Sequence, residues 1–329
     1  MWRFQESASL NEVTVVGSYI VALTMDTERL PVEGETVHGH NYQTTHGGKG
    51  SNMVVSAARL GAEATFIGKI GRDAFGEHFL SLLKAERVSR EGVLYSSIKP
   101  TAVGFIITDA RGSNAIVIDM GANGELSPAD ITAHADLIRQ SDVIISPLEI
   151  PLGTALEAAK IARNHGVKSI LNPAPASDLR KHDLSCCFAL TPNETEARVC
   201  LGLTPNANVA DSEIARALLD LGCEHVMLTR GAAGVIWASR QGVQSFPVPK
   251  VRVLDTVGAG DAFNAGLAVG ISEGKDLKEA IALGVAAASL STEKRQTIAS
   301  YPERDAVEPY LPQVLNGVQP CSETLRASS

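Results

Sequence analysis

From about Ser127 onward, short apolar runs alternate with stretches of helical spacing, and that rhythm limits the fold more than any other feature of this 329-residue chain. Val143-Ile144-Ile145, Ser169-Ile170-Leu171, Cys187 to Leu190 and Val226-Met227-Leu228-Thr229 read as strands. Pro151 to Asn164 and Ser212 to Leu221 read as helices between them. Apolar strands joined by helices pair in parallel and need cover on both sides. The expected fold class is therefore α/β: three layers, with a mostly parallel central sheet and helices on both faces. Ligands of such a sheet bind beyond the carboxyl ends of its strands.

The first third departs from that rhythm. Val13 to Gly17 reads as a buried first strand ending in a Gly-Ser turn, Gly50 to Leu60 as a helix stopped by Gly61, and Ala64 to Ile70 as a strand. Residues from about Val21 to Tyr42 alternate roughly and carry turn signals at Pro31 and Gly34. Ala102 to Thr108 and Ala115 to Met120 flank the turn Asp109-Ala110-Arg111-Gly112-Ser113. These hairpins are assigned to a small β lid, about 21–42 and 101–120, on one domain spanning 12–315. An exposed apolar lid face predicts a homodimer through it. Residues 316–329 are polar and aperiodic, and read as a frayed tail.

A net charge of −8 argues against a nucleic-acid partner, since such a surface repels phosphate backbones. No apolar run reaches the ~20 residues of a membrane span. The first residues lack a secretory pattern and the five cysteines lack metal-like pairing, so a reducing cytoplasm is the expected compartment. No histidine pattern supports a catalytic zinc, and no G-x-S-x-G elbow supports a serine hydrolase.

Asp255-Thr256-Val257-Gly258-Ala259-Gly260-Asp261-Ala262-Phe263 sets a small-residue turn against a helix start. Glycines there let backbone N–H groups converge, and the helix end adds positive potential. Such a nest suits a phosphoryl group in flight, with Asp261 placed to take a proton from an attacking hydroxyl. His46-Gly47-Gly48-Lys49-Gly50-Ser51-Asn52 is a second glycine turn before a helix; on its own it is equally a plain cap with Lys49 in solvent. In Thr191-Pro192-Asn193-Glu194-Thr195-Glu196, Thr191 and Glu194 read as a capping box with Pro192 at the first helical position. That leaves Asn193 and Glu196 to hold water around Mg²⁺ or simply to face solvent. Thr229-Arg230-Gly231 follows a strand, as a ligand loop or an ordinary turn. Glu149 follows the Val143 run, facing the same crevice or solvent.

With these motifs in this order, the chain resembles the ribokinase-like (phosphofructokinase B type) carbohydrate kinases from roughly Val13 to Pro312. Asn123 and the segment Leu171-Asn172-Pro173-Ala174-Pro175 resemble the ribokinases within that family. The resemblance implies phosphorylation of a primary hydroxyl on a small carbohydrate, using ATP and Mg²⁺. It makes Asp261 the general base and Gly258, Ala259 and Gly260 the anion hole. Gly47, Gly48, Lys49, Asn52 and Glu149 would contact the sugar. Asn193 and Glu196 would organise Mg²⁺ and the nucleotide phosphates, with Thr229 and Gly231 nearby. Asp255, Val257 and Ser300 would surround a monovalent cation such as K⁺. Two departures stand out. Ribokinases carry a sugar-binding asparagine and aspartate where this chain has Ile20 and Ala22, which directs attention to Tyr19 and His46 as new pocket residues. A glycine of the cation loop is replaced by Gln296 or its neighbour. A nucleoside kinase, or a non-catalytic sugar-sensing protein, are the rival functions.

Overall fold

The computed structural model describes residues 11–321; the readings made on 1–10 and 322–329 lie outside the described residues. Its main sheet has ten strands in the order β14-β13-β12-β11-β10-β9-β8-β1-β4-β5. Those from the first part of the chain are β1 (Glu12–Val16), β4 (Glu63–Ile70) and β5 (Ser89–Tyr95). The next four are β8 (Val143–Pro147), β9 (Lys168–Asn172), β10 (Ala189–Leu190) and β11 (His225–Thr229). These seven run parallel. An antiparallel edge follows, formed by β12 (Val235–Ser239), β13 (Gly242–Phe246) and β14 (Gln319–Pro320).

Alternate residues of the parallel strands feed two separate cores, as period-two side chains must. Val143, Ile145, Ile170 and Met227 pack into one, with the helices Lys49–Arg59, Ala259–Ser272 and Leu277–Ser291. Ile144, Leu171, Val226 and Leu228 pack into the other, with the helices Leu152–Asn164 and Asp211–Leu219. The expected three layers are present. The lid is a separate sheet in the order β3-β2-β6-β7. It comprises β2 (Ile20–Thr27), β3 (Gly39–Gly47), β6 (Ala102–Asp109) and β7 (Asn114–Asp119).

Over its described part, 316–321, the tail reading needs correction. Gln319–Pro320 pair with β13, and the Cys321 N–H donates to the Val243 carbonyl at 2.9 Å. An exposed edge strand accepts a polar partner segment because the backbone supplies the bonds, so lack of periodicity did not mean lack of structure.

One packing feature fixes the position of helix Ala259–Ser272. Gly266 lies so close to the neighbouring helix that a Cβ there would sit 2.8 Å from the Gly284 Cα, and one on Gly270 2.6 Å from the Ala280 Cα. The two helices therefore meet backbone to backbone along a seam of small residues.

Candidate active site

Four strand ends lie along one edge of the sheet, and of the residues that follow them Glu149 lines the main cleft. Ser18 follows β1, Glu149 follows β8, Asn193 follows β10, and Thr229 ends β11. This is the expected carboxyl end of the parallel sheet. The glycine turns close it from the other side. Gly258, at φ 81, caps helix Ala259–Ser272, and Gly48, at φ 92, caps helix Lys49–Arg59. Two helix N-termini, each the positive end of its helix dipole, thus border the same space.

Asp261 lies in the first turn after Gly258 and is 4% exposed. Its Oδ2 accepts from Asn52 Nδ2 at 2.8 Å, and Lys49 Nζ stands 3.7 Å from its Oδ1. The carboxylate in turn pushes the Lys49 ammonium pKa up, against the effect of burial. Asn52 Oδ1 is buried without a partner among the described residues, an acceptor left over for a ligand hydroxyl. Gly47, Gly48, Lys49, Asn52 and Glu149 line the same cleft of about 630 Å³, together with Gly258 and Asp261.

Glu149 has a second task that the sequence did not reveal. Its Oε2 accepts from Ser18 Oγ at 2.5 Å and from the Lys49 N–H at 2.7 Å, so it anchors the glycine turn. Burial raises its pKa. Ser18 is a site residue whose one signal in the sequence is the Gly-Ser turn after the first strand. Its backbone approaches so closely that a Cβ on Gly50 would lie 2.3 Å from the Ser18 nitrogen, which explains the glycine there.

The Thr191–Glu196 segment corrects one assignment. Helix Glu194–Cys200 is capped by Asn193, whose side chain accepts from the Glu196 N–H at 2.8 Å while Glu196 Oε2 accepts from the Asn193 N–H at 2.8 Å. The capping box is Asn193–Glu196, not Thr191–Glu194. Thr191 is buried and donates to Asn264 Oδ1 at 2.6 Å, tying β10 to helix Ala259–Ser272. Pro192 therefore lies two residues before the first helical position, not at it. Asn193 also bridges Thr229, whose N–H donates to the Pro192 carbonyl at 3.0 Å, so two of the expected nucleotide residues are adjacent. Gly231 turns at φ 51 directly beyond. Burial raises the Glu196 pKa, and the charges of Lys49 and Asp261 act on it across the site.

Around the cation loop, Asp255 accepts from the Val257 N–H at 3.0 Å and from the Gln296 N–H at 3.2 Å. The Ser300 hydroxyl donates to the Thr297 carbonyl at 2.7 Å. Gln296 has φ 69, so the chain keeps a glycine-like turn at a residue with a Cβ.

Tyr19 is a core residue rather than a pocket residue. It is 1% exposed and stacks on Phe79 at 4.1 Å, while its hydroxyl meets His46 Nδ1 at 3.0 Å. His46 does line the cleft. Burial, then the His78 ring stacked 4.0 Å away, lower its pKa to about 4. The native chain therefore binds fewer protons than the unfolded one between about pH 6.5 and about pH 4, and stability falls as pH drops through that window. We expect a loss of about 1–2 kcal/mol, discounted for partial exposure. Urea midpoints at about pH 7 and about pH 5 measure it, and an unchanged slope in His46→Asn would refute the attribution.

The sequence pattern of the pfkB family carbohydrate kinases matches residues 10–304. The chain belongs to that family. Among pfkB relatives, it is 38% identical to the ribokinase of Mus musculus over 312 residues, 92% of this chain and 94% of that one. It is 33% identical to the deoxyribokinase of Salmonella typhi over 303 residues, 91% and 98% of the two chains. The structure of Arabidopsis thaliana ribokinase complexed with ribose and ATP superposes with a TM-score of 0.85 at 29% identity, covering 92% of this chain and 99% of that one.

Proposed function

We propose that this carbohydrate kinase transfers the γ-phosphoryl of ATP to a primary hydroxyl of a small carbohydrate. The observation that carries the reading is Asp261, a buried carboxylate in the first turn of the Gly258–Gly260 nest, open to the cleft and held by Asn52 and Lys49. A hydroxyl placed there gives its proton to Asp261 as the bond to phosphorus forms. The nest N–H groups and Lys49 stabilise charge on the transferring oxygens, and positioning supplies most of the rest. Gly47, Gly48, Asn52 and Glu149 hold the acceptor. Asn193, Glu196, Thr229 and Gly231 serve the nucleotide side.

Mg²⁺ suits the donor set: a hard cation takes oxygen ligands and keeps its waters, and Glu196 offers a carboxylate at the mouth of the β10 and β11 loops. When bound it neutralises phosphate charge. A K⁺ ion at Asp255, Val257 and Ser300 would share the Asp255 carboxylate with the Val257 and Gln296 N–H groups, which its remaining lone pairs allow. Equal rates in Na⁺, K⁺ and tetramethylammonium would dismiss it.

The acceptor is less hydroxylated than ribose on the face that meets the lid. Ile20, Ala22 and Gly104 line the cleft there, with Ile106, Ile116 and Ile118 beside them. A nucleoside acceptor is the second reading, favoured by the roughly 630 Å³ of space, within the range of larger ligand sites. The lid's other face exposes Met25, Phe105 and Val117, at 39%, 52% and 70%, and we assign it to a homodimer. A single-protomer mass in sedimentation would remove that assignment. Cysteines without disulfides favour the cytoplasm.

ATP consumption measured with Mg²⁺ against a panel of sugars, deoxysugars, polyols and nucleosides tests the whole reading. No acceptor-dependent turnover would leave the sugar-sensing alternative in its place.

A further inference from the structure

We infer that Gln43 on the lid and Gln296 on the cation loop form a clasp through which an occupied anion nest draws the lid shut. The inference rests on the nucleotide phosphates binding in the Gly258–Gly260 nest. Gln296 Nε2 lies 3.2 Å from Gln43 Oε1, across the cleft that both residues line. Gln43 faces Thr24 on β2, so it belongs to the lid's inner side. One residue later, the Thr297 hydroxyl points to the carbonyl of His46, also on β3, at 3.5 Å.

The same loop is keyed to the nest. The Gln296 N–H donates to Asp255, and the Tyr301 hydroxyl donates to the Gly258 carbonyl at 3.4 Å. A Cβ on Gly258 would meet that hydroxyl at 2.6 Å and the Thr297 methyl carbon at 3.0 Å. Nest, loop and lid are therefore one contiguous chain of contacts. Gln296 holds φ 69, a conformation that side-chain-bearing residues rarely adopt, and its amide is the group that reaches the lid. An anion that orders Gly258 orders the loop packed on it, so the entropy of holding Gln296 toward Gln43 is already spent. By reciprocity, a closed lid tightens nucleotide binding by the same factor. Gln43 and Gln296 are positioning residues in this scheme.

Hydrogen exchange along β3, with and without Mg²⁺ and the ATP analogue AMP-PNP, reads the coupling without any acceptor. In the wild type we expect the analogue to slow exchange of the Gly39–Gly47 amides by about three- to tenfold, the size one neutral hydrogen bond supports. Gln43→Leu and Gln296→Gly should abolish that protection and weaken the analogue's Kd by no more than the same three- to tenfold. Gln43→Glu, whose carboxylate still accepts from Gln296, should retain it, which a general packing defect would not. Equal protection in Gln43→Leu and wild type overturns the clasp, as does loss of protection in Gln43→Glu. If AMP-PNP fails to bind the wild type, the kinase reading falls and the clasp with it; binding without coupling overturns the clasp alone.

Discussion

Asp261→Asn should retain the fold and lose phosphoryl transfer by about 10²–10⁴-fold, the span that a positioned general base contributes. The amide is nearly isosteric, and its oxygen can still accept from Asn52, whose donor now meets Asp261 Oδ2 at 2.8 Å. Lys49 loses the charge that does most to raise its pKa, but its ammonium is partly exposed and can turn to water. Stability should therefore change by no more than about 1 kcal/mol. The combination separates chemistry from folding: circular dichroism melts should overlay while kcat collapses with little change in KM. A kcat within about tenfold of wild type would remove Asp261 from the role of base.

The second large effect concerns choice of acceptor. Ile20→Asn with Ala22→Asp should raise kcat/KM for ribose by about 30-fold or more, because each restored hydrogen bond to a sugar hydroxyl is worth about 1–3 kcal/mol. Both positions project from β2 to the same face, two residues and about 6.6 Å apart, so their effects should couple rather than add. Ile20→Asn keeps the side-chain size, and space exists for the longer one of Ala22→Asp: Ala22 pairs with Gly104 on one side and Thr45 on the other, along the cleft wall. The wild-type enzyme's preferred acceptor should lose efficiency in the same variant, since a charge replaces an apolar contact. Unchanged ribose kinetics would mean that this wall does not select the acceptor.

Much of this architecture was legible in the sequence because the parallel strands are doubly buried and the turns carry glycine. The strand runs around Val143, Ile170 and Val226 appear where the apolar clusters stand, and the lid hairpins appear where the alternation breaks the rhythm. The two glycine turns were readable as a pair only because each precedes a helix, which the structure shows at Gly48 and Gly258. What escaped was tertiary. Ser18 and Glu149 are 131 residues apart, and no spacing rule joins them. The helix start at Glu194 was misframed because Thr191 and Asn193 are both good caps, and the choice was made by Asn264, a partner 73 residues away from Thr191. Tyr19 was read as a pocket residue because it neighbours one. Period two sends it the other way, into the core beneath Phe79.

The glycine seam between helices Ala259–Ser272 and Leu277–Ser291 has a bearing on where motion can occur. Where two backbones touch, no layer of side chains remains to change rotamer, so the pair can neither slide nor roll without clash. Asp261 rides on that immobile pair, within the helix itself, which makes it the fixed jaw of a vice. Travel then belongs to the Gly258 turn with its Gln296 loop and to the other jaw, the sheet that carries Gln43, Ala22 and Ile106. The Asp261 carboxylate thus keeps its place whatever the position of the sheet opposite.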